Sequence, residues 1–173
     1  MLLFEATILL LIGFCEYSSA TSCRGQVGEL IDVSRRGPSY VIKSSAEPTI
    51  SDSTVPAGWY IAKDSVRFYT LVNGTAPEYA HCGTYNPIYI KDKLGKLEEG
   101  KEYPLIACLV DFDSSCKYRY DIKVRKCGRE IQYYLIPTDG TSAYCFGMGL
   151  FANNLTTFVN ICRRTYLYVK ACC

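Results

Sequence analysis

The chain has 173 residues, 49% of them hydrophobic, with 10 cysteines, one histidine and a formal net charge of +2. So mild a charge, with no Lys/Arg run, excludes the basic surface that nucleic acid requires. A single histidine means that any Ser-His-Asp or Cys-His catalysis must pass through that one residue.

Residues 1–20 read as a secretory signal peptide. An apolar stretch, 6–14, leads into a polar segment ending Ser18-Ser19-Ala20, a small-x-small cleavage site. The stretch is too short to span a bilayer, which needs about twenty residues. No other segment is apolar enough, so no membrane anchor is expected and the product is expected to be secreted and extracellular. Cleavage would remove Glu5, Cys15 and Glu16, leaving 153 residues, nine cysteines and a net charge of +4. An oxidising compartment pairs such thiols into disulfides. At this size about 70% of the unfolded surface is buried, so bridges reinforce a core rather than replace one.

Residues 21–57 form a lead-in segment that turns rich in Ser, Pro and Gly from residue 34, an extended irregular connection whose residues 40–42 could make a short strand. Strand spacing then recurs at 59–61, 66–72, 88–90 and 105–110. From Tyr118 to Arg125 apolar and polar residues alternate strictly, which predicts one buried and one solvated sheet face, with Tyr118 and Tyr120 packing inward. Residues 131–136 and 166–171 are further strand candidates, and the charged stretch 93–102 is one helical turn or a loop. Many short strands separated by turn signals predict an all-β fold, a compact antiparallel sandwich or irregular barrel stabilised by disulfides. Its body spans 58–146, followed by a cysteine-containing tail, 147–173.

Two sequons, Asn73-Gly74-Thr75 and Asn154-Leu155-Thr156, are acceptors for N-glycans in a secreted chain. Asn73-Gly74 also reads as a type I′ hairpin turn after the strand at 66–72. His81 lies beside Cys82, an oxidised and therefore non-nucleophilic neighbour, and reads as structural. Gly-x-Ser-x-Gly, His-Glu-x-x-His and Gly-rich phosphate loops are absent, so no catalytic residue and no enzymatic activity are expected. Asp111-Phe112-Asp113-Ser114-Ser115 begins like a calcium loop but has Ile122 at the twelfth position and no Gly at the sixth, and no Cys-x-x-Cys occurs. No metal and no cofactor are expected. The dibasic pairs Arg35-Arg36 and Arg163-Arg164 read as solvated charge, with proteolytic processing sites as the alternative.

A series of landmarks runs through the body: Gly58-Trp59-Tyr60, Cys82-Gly83-Thr84, Ala107-Cys108, Cys116, the stretch from Ile122 to Cys127, Tyr133-Tyr134 and Ala143-Tyr144-Cys145, preceded by Ser22-Cys23 with Leu30, Asp32 and Arg35. In this order the landmarks resemble the cysteine-rich domain of uromodulin and related secreted glycoproteins. The fullest form of that pattern has ten cysteines. This chain keeps six, and the missing positions fall near Asp52, near Ala76, at Ser115 and near Gly140. The loss of four is what losing two whole bridges produces. The resemblance therefore implies three bridges among Cys23, Cys82, Cys108, Cys116, Cys127 and Cys145, in any of about fifteen pairings.

Cys162, Cys172 and Cys173 are left in the tail. Their odd number predicts one unpaired sulfur and a fraction of disulfide-linked homodimer. Trp59, the only tryptophan, is expected to be a core anchor. The resemblance implies a non-catalytic extracellular module for binding or glycan display, whose partner is a protein or glycan ligand that the sequence does not identify. Two other readings stand beside it. One is a structural component of a matrix or mucus-like assembly linked through the leftover cysteine, and the other a small secreted enzyme or toxin with carboxylates gathered around His81.

Overall fold

The computed structural model describes residues 23–148. These carry nine strands and no α-helix: β1 (Val27–Glu29), β2 (Gly58–Lys63), β3 (Phe68–Leu71), β4 (Asn86–Ile90), β5 (Glu102–Asp111), β6 (Ser114–Cys127), β7 (Glu130–Leu135), β8 (Ser142–Tyr144) and β9 (Phe146–Met148). They form one sheet in the order β8-β4-β5-β6-β7-β2-β3-β9, with β1 alongside β2. The two ends of that order are consecutive in sequence, and Cys145 between them serves both. Its N–H donates to the Ile88 carbonyl and its own carbonyl accepts from the Val72 N–H, each at 2.9 Å. The sheet thus closes nearly into a barrel, which leaves little open edge.

The hairpins β2–β3, β5–β6 and β6–β7 impose antiparallel pairing. The pairs β1–β2 and β4–β8 are parallel, a departure from the antiparallel reading. These short strands reach their partners through long connections, which leave direction free. Gly28 lies opposite Tyr60, whose ring stands 2.6 Å from where a Cβ would be, so only glycine lets β1 approach.

Alternation along the strands directs Ala107 and Leu109 of β5, Ile122 and Val124 of β6, and Tyr133 and Leu135 of β7 into the barrel, where they meet Leu71, Ile88, Tyr144 and Phe146. Each such aliphatic side chain contributes about 1.5 to 3 kcal/mol on burial. Leu30 and Val33 of the lead-in belong to this same core. A smaller cluster, Tyr89, Cys108 and Val110, lies on the reverse face of β4 and β5 beneath Val72 and Ala76. Between Leu109 and Asp111 the β5–β6 register shifts, so that β6 spends residues 115–117 opposite Val110. That bulge turns Cys116 to the face of Cys108 and away from the face of Tyr118.

Three local expectations are corrected by this packing. Residues 40–42 make only an isolated bridge, Val41 to His81, whereas of the two forms expected for the charged stretch, residues 93–101 take the loop. Asn73-Gly74 is not a hairpin tip, because β3 is already paired on both sides by β2 and β9. Asn73 instead bridges Ile90, and Gly74, at φ 77°, donates its N–H to the Ile90 carbonyl. Tyr118 is 54% exposed although its register partner Leu109 belongs to the core. Tyr120, one step deeper, is half-buried against the core. The strand candidate at 166–171 lies outside the described residues.

Candidate functional site

Three disulfides fix the frame: Cys23 to Cys127, Cys82 to Cys145, and Cys108 to Cys116. The first ties the lead-in to the end of β6, the second ties the loop before β4 to the junction of β8 and β9, and the third braces the β5–β6 hairpin below its turn. Cys162, Cys172, Cys173, Asn154 and Arg163-Arg164 lie outside the described residues.

Arg36, read from sequence as solvated charge, is instead 1% exposed and forms a bidentate pair with Asp52 at 2.6 and 2.7 Å. Its Nε donates to the Ile31 carbonyl, and the pair grips β8 through the Tyr144 carbonyl and the Tyr144 N–H. Every strong donor and acceptor of the pair has a partner, which is the condition for keeping charge inside a protein. The Asp52 position, read only as a lost cysteine, thus carries the carboxylate that holds lead-in and closing strand together. Next to it the Tyr144 phenol donates to the Ile136 carbonyl, and burial pushes its pKa well above the ordinary phenol range.

Trp59 is half-buried and outside both core clusters, which corrects its reading as a core anchor. The phase of β2 decides this. Tyr60 and Ala62 face the core, so Trp59 must face outward. There the Arg125 guanidinium lies over its ring at 3.8 Å, and Tyr134, opposite it in register on β7, meets it edge-on at 5.6 Å. Arg125 also donates to Gln132 at 2.8 Å and lies 3.8 Å from Glu102, while Lys123 stands 5.9 Å from the Tyr134 ring centre. Burial lowers the Arg125 pKa and Glu102 partly offsets that. The outer face of β2, β7 and β6 is therefore an alternating layer of cations and aromatic rings.

The Asn73 side chain is half-buried and bonded at both ends. Its Nδ2 donates to the Leu71 carbonyl at 3.2 Å and its Oδ1 accepts the Leu94 N–H at 3.3 Å, with Thr75 exposed two residues on. Glycosylation replaces one of the two Nδ2 hydrogens, so a glycan and the bond to Leu71 are chemically compatible.

His81 is half-buried, with Nδ1 at 3.1 Å from the Tyr79 carbonyl and Nε2 at 3.8 Å from the exposed Glu78 carboxylate. Asp111 and Asp113 flank the turn of the β5–β6 hairpin, where Asp111 accepts the Phe112 N–H at 2.8 Å and pairs with Lys117. The bond to Lys117 holds the Asp111 carboxyl below its usual range. Residues 62–146, the span from the end of β2 to the start of β9, match the family model of the uromodulin-like domain.

Proposed function

Because this chain carries a uromodulin-like domain, an extracellular domain of secreted glycoproteins, we propose that it acts as a secreted, N-glycosylated, non-catalytic module for extracellular binding or glycan display. The family match carries this reading. It is supported by three disulfides, which persist in oxidising compartments. The sequon at Asn73 further supports it, because the side chain can take a sugar without losing its bond to Leu71. Recognition here is contact between a preorganised surface and a partner protein or glycan, and the rigid barrel lowers the entropic cost of that contact.

The test is expression of the full chain with its own leader in glycosylating, secreting cells. The expected product appears in the medium, begins at Thr21, and loses mass when its N-glycans are removed. Retention in the cells with an intact mass equal to the bare polypeptide overturns the reading. A screen of the purified product against arrayed glycans and cell-surface ectodomains would then identify the partner.

A further inference from the structure

The barrel presents a fixed aromatic knob at one end and, at the other, a notch that sets two exposed apolar side chains beside a cation. The knob is Phe112, 86% exposed at the turn of the β5–β6 hairpin. An exposed phenylalanine is ordinary on a mobile loop, but the turn that carries this one is braced. Asp111 accepts its N–H and pairs with Lys117, Asn86 donates to both the Val110 carbonyl and Asp111, and the Cys108–Cys116 bridge lies directly below. Tyr79 meets the Phe112 ring edge-on at 5.9 Å. It does so from a loop that holds two non-glycine residues, Ala80 at φ 60° and Cys82 at φ 59°, in the left-handed region that such residues avoid. Asp113, next in the turn, makes no ion pair among the described residues. The knob is thus a ring with an acidic shoulder.

The notch is an open concavity of about 490 Å³ around the β2–β3 turn. Its carboxylates are already engaged. Glu29 pairs with Lys63 at 2.7 Å, and Asp64 accepts the N–H groups of Val66 and Arg67 and the Tyr69 hydroxyl. Among the polar side chains of this rim stand two exposed apolar ones, Val66 at 83% and Phe68 at 43% exposure, on either side of Arg67, whose guanidinium donates to the Met148 sulfur at 3.4 Å and to no carboxylate among the described residues. The notch thus offers an apolar pair, Val66 and Phe68, with a basic side chain between them.

Strand polarity places the two features far apart. Gly58 of β2 lies opposite Leu135 of β7, and Cys127 of β6 lies opposite Glu130. The end of β2, and with it the notch, therefore lies at the β6–β7 turn. The knob lies at the other end of β6, whose 14 residues span about 40 Å. No chain can seat its own knob in its own notch. A second copy can, and the complementary charges of Asp113 and Arg67 set its orientation.

We infer that this chain associates with itself head to tail, the Phe112 knob of one copy seated between Val66 and Phe68 of the next with Asp113 against Arg67. Such a contact is heterologous, so it propagates into rings or filaments instead of stopping at a symmetric dimer. It goes beyond the binding or display role and does not depend on it.

Sedimentation equilibrium of the purified, oxidised full chain, from micromolar to about 1 mM, covers the range for an interface below about 1,200 Å². Non-reducing gels score covalent species separately. The average mass should rise with concentration past the dimer and fall when salt is added. Phe112→Ser and Arg67→Glu should each stay monomeric, and their equimolar mixture should form a dimer and stop, because each variant retains the feature that the other lacks. Asp113→Arg should restore assembly to Arg67→Glu. Near-ultraviolet circular dichroism checks that each variant is folded, and Val66→Asp serves as a second notch variant. The inference is overturned by a wild type monomeric throughout, by growth that ends at a dimer, by Phe112→Ser assembling like the wild type, or by a mixture that stays monomeric.

Discussion

Arg36 and Arg125 are both buried, at 1% and 2% exposure, and the protein accommodates the two cations differently. Arg36 lies inside the closure of the barrel, neutralised by Asp52, and its other donors reach the carbonyls of two separate segments. Arg125 lies on the outer face, covered by the Trp59 ring and held by Gln132, with Glu102 at 3.8 Å. Removing Arg36 strands a desolvated carboxylate, whereas removing Arg125 uncovers an aromatic ring that water can reach. The lesson is that a buried cation matters in proportion to what its loss leaves unpaired.

The largest expected effect is therefore at the interior pair. Arg36→Ala should cost about 3 to 5 kcal/mol, measured by urea unfolding with the disulfides intact. The double replacement Arg36→Met with Asp52→Leu should recover much of that loss. A single substitution no more costly than Arg125→Ala would remove the contrast between the two sites.

Alkaline titration sharpens the same contrast. Burial raises the pKa values of Tyr133 and Tyr144, and burial followed by the hydrogen bond to Asp139 pushes Tyr120 up to about 12. A phenol whose folded pKa lies above its unfolded value of about 10 contributes stability that is complete below pH 10 and is lost as pH rises through the folded value. The interior should hold to about pH 10 and unfold progressively as pH climbs toward 12 and beyond. Phenolate absorbance and near-ultraviolet circular dichroism should then change together. Smooth ionisation of every tyrosine near pH 10 with the fold intact would contradict the buried assignments.

Trp59→Ala should cost about 2 kcal/mol, less than a full core deletion, since half the ring surface and one cation–π contact are lost. Iodide should quench its fluorescence partially. Quenching as weak as for a sealed core residue would return Trp59 to the interior and undo the reading of the outer face. The smallest effect is expected at Lys123→Ala, within about 0.5 kcal/mol, because its contacts with Glu102 and the Tyr134 ring are made at an exposed position. A larger loss would mean that the outer layer is a cooperative network.

Much of the sheet was legible along the chain because strand chemistry is local. The alternation through Ile122 and Val124 marked the core face of β6, and the apolar run at 105–110 marked β5. Failures came where a residue's partner lies far away in sequence. Nothing near Arg36 signals Asp52, 16 positions on, or Tyr144, 108 positions on, so an adjacent basic pair read as solvent-facing. Trp59 was misplaced because being the only tryptophan says nothing about strand phase, which Tyr60 and Ala62 decide together. Asn73-Gly74 was read as a hairpin tip because a dipeptide cannot reveal that β3 is already paired on both sides.

Residue type and near-neighbour spacing alone carry the all-β class, the family landmarks, the sequon at Asn73 and the set of cysteines available for bridges. Only the tertiary structure decided which sulfurs meet, that β8 and β9 close the barrel through Cys145, and that Arg36 lies inside while Phe112 stands in water. Closure is the physical reason. It brings together segments as far apart in sequence as Cys23 and Cys127, and whether a charge is buried or a ring exposed depends on what arrives from elsewhere in the chain.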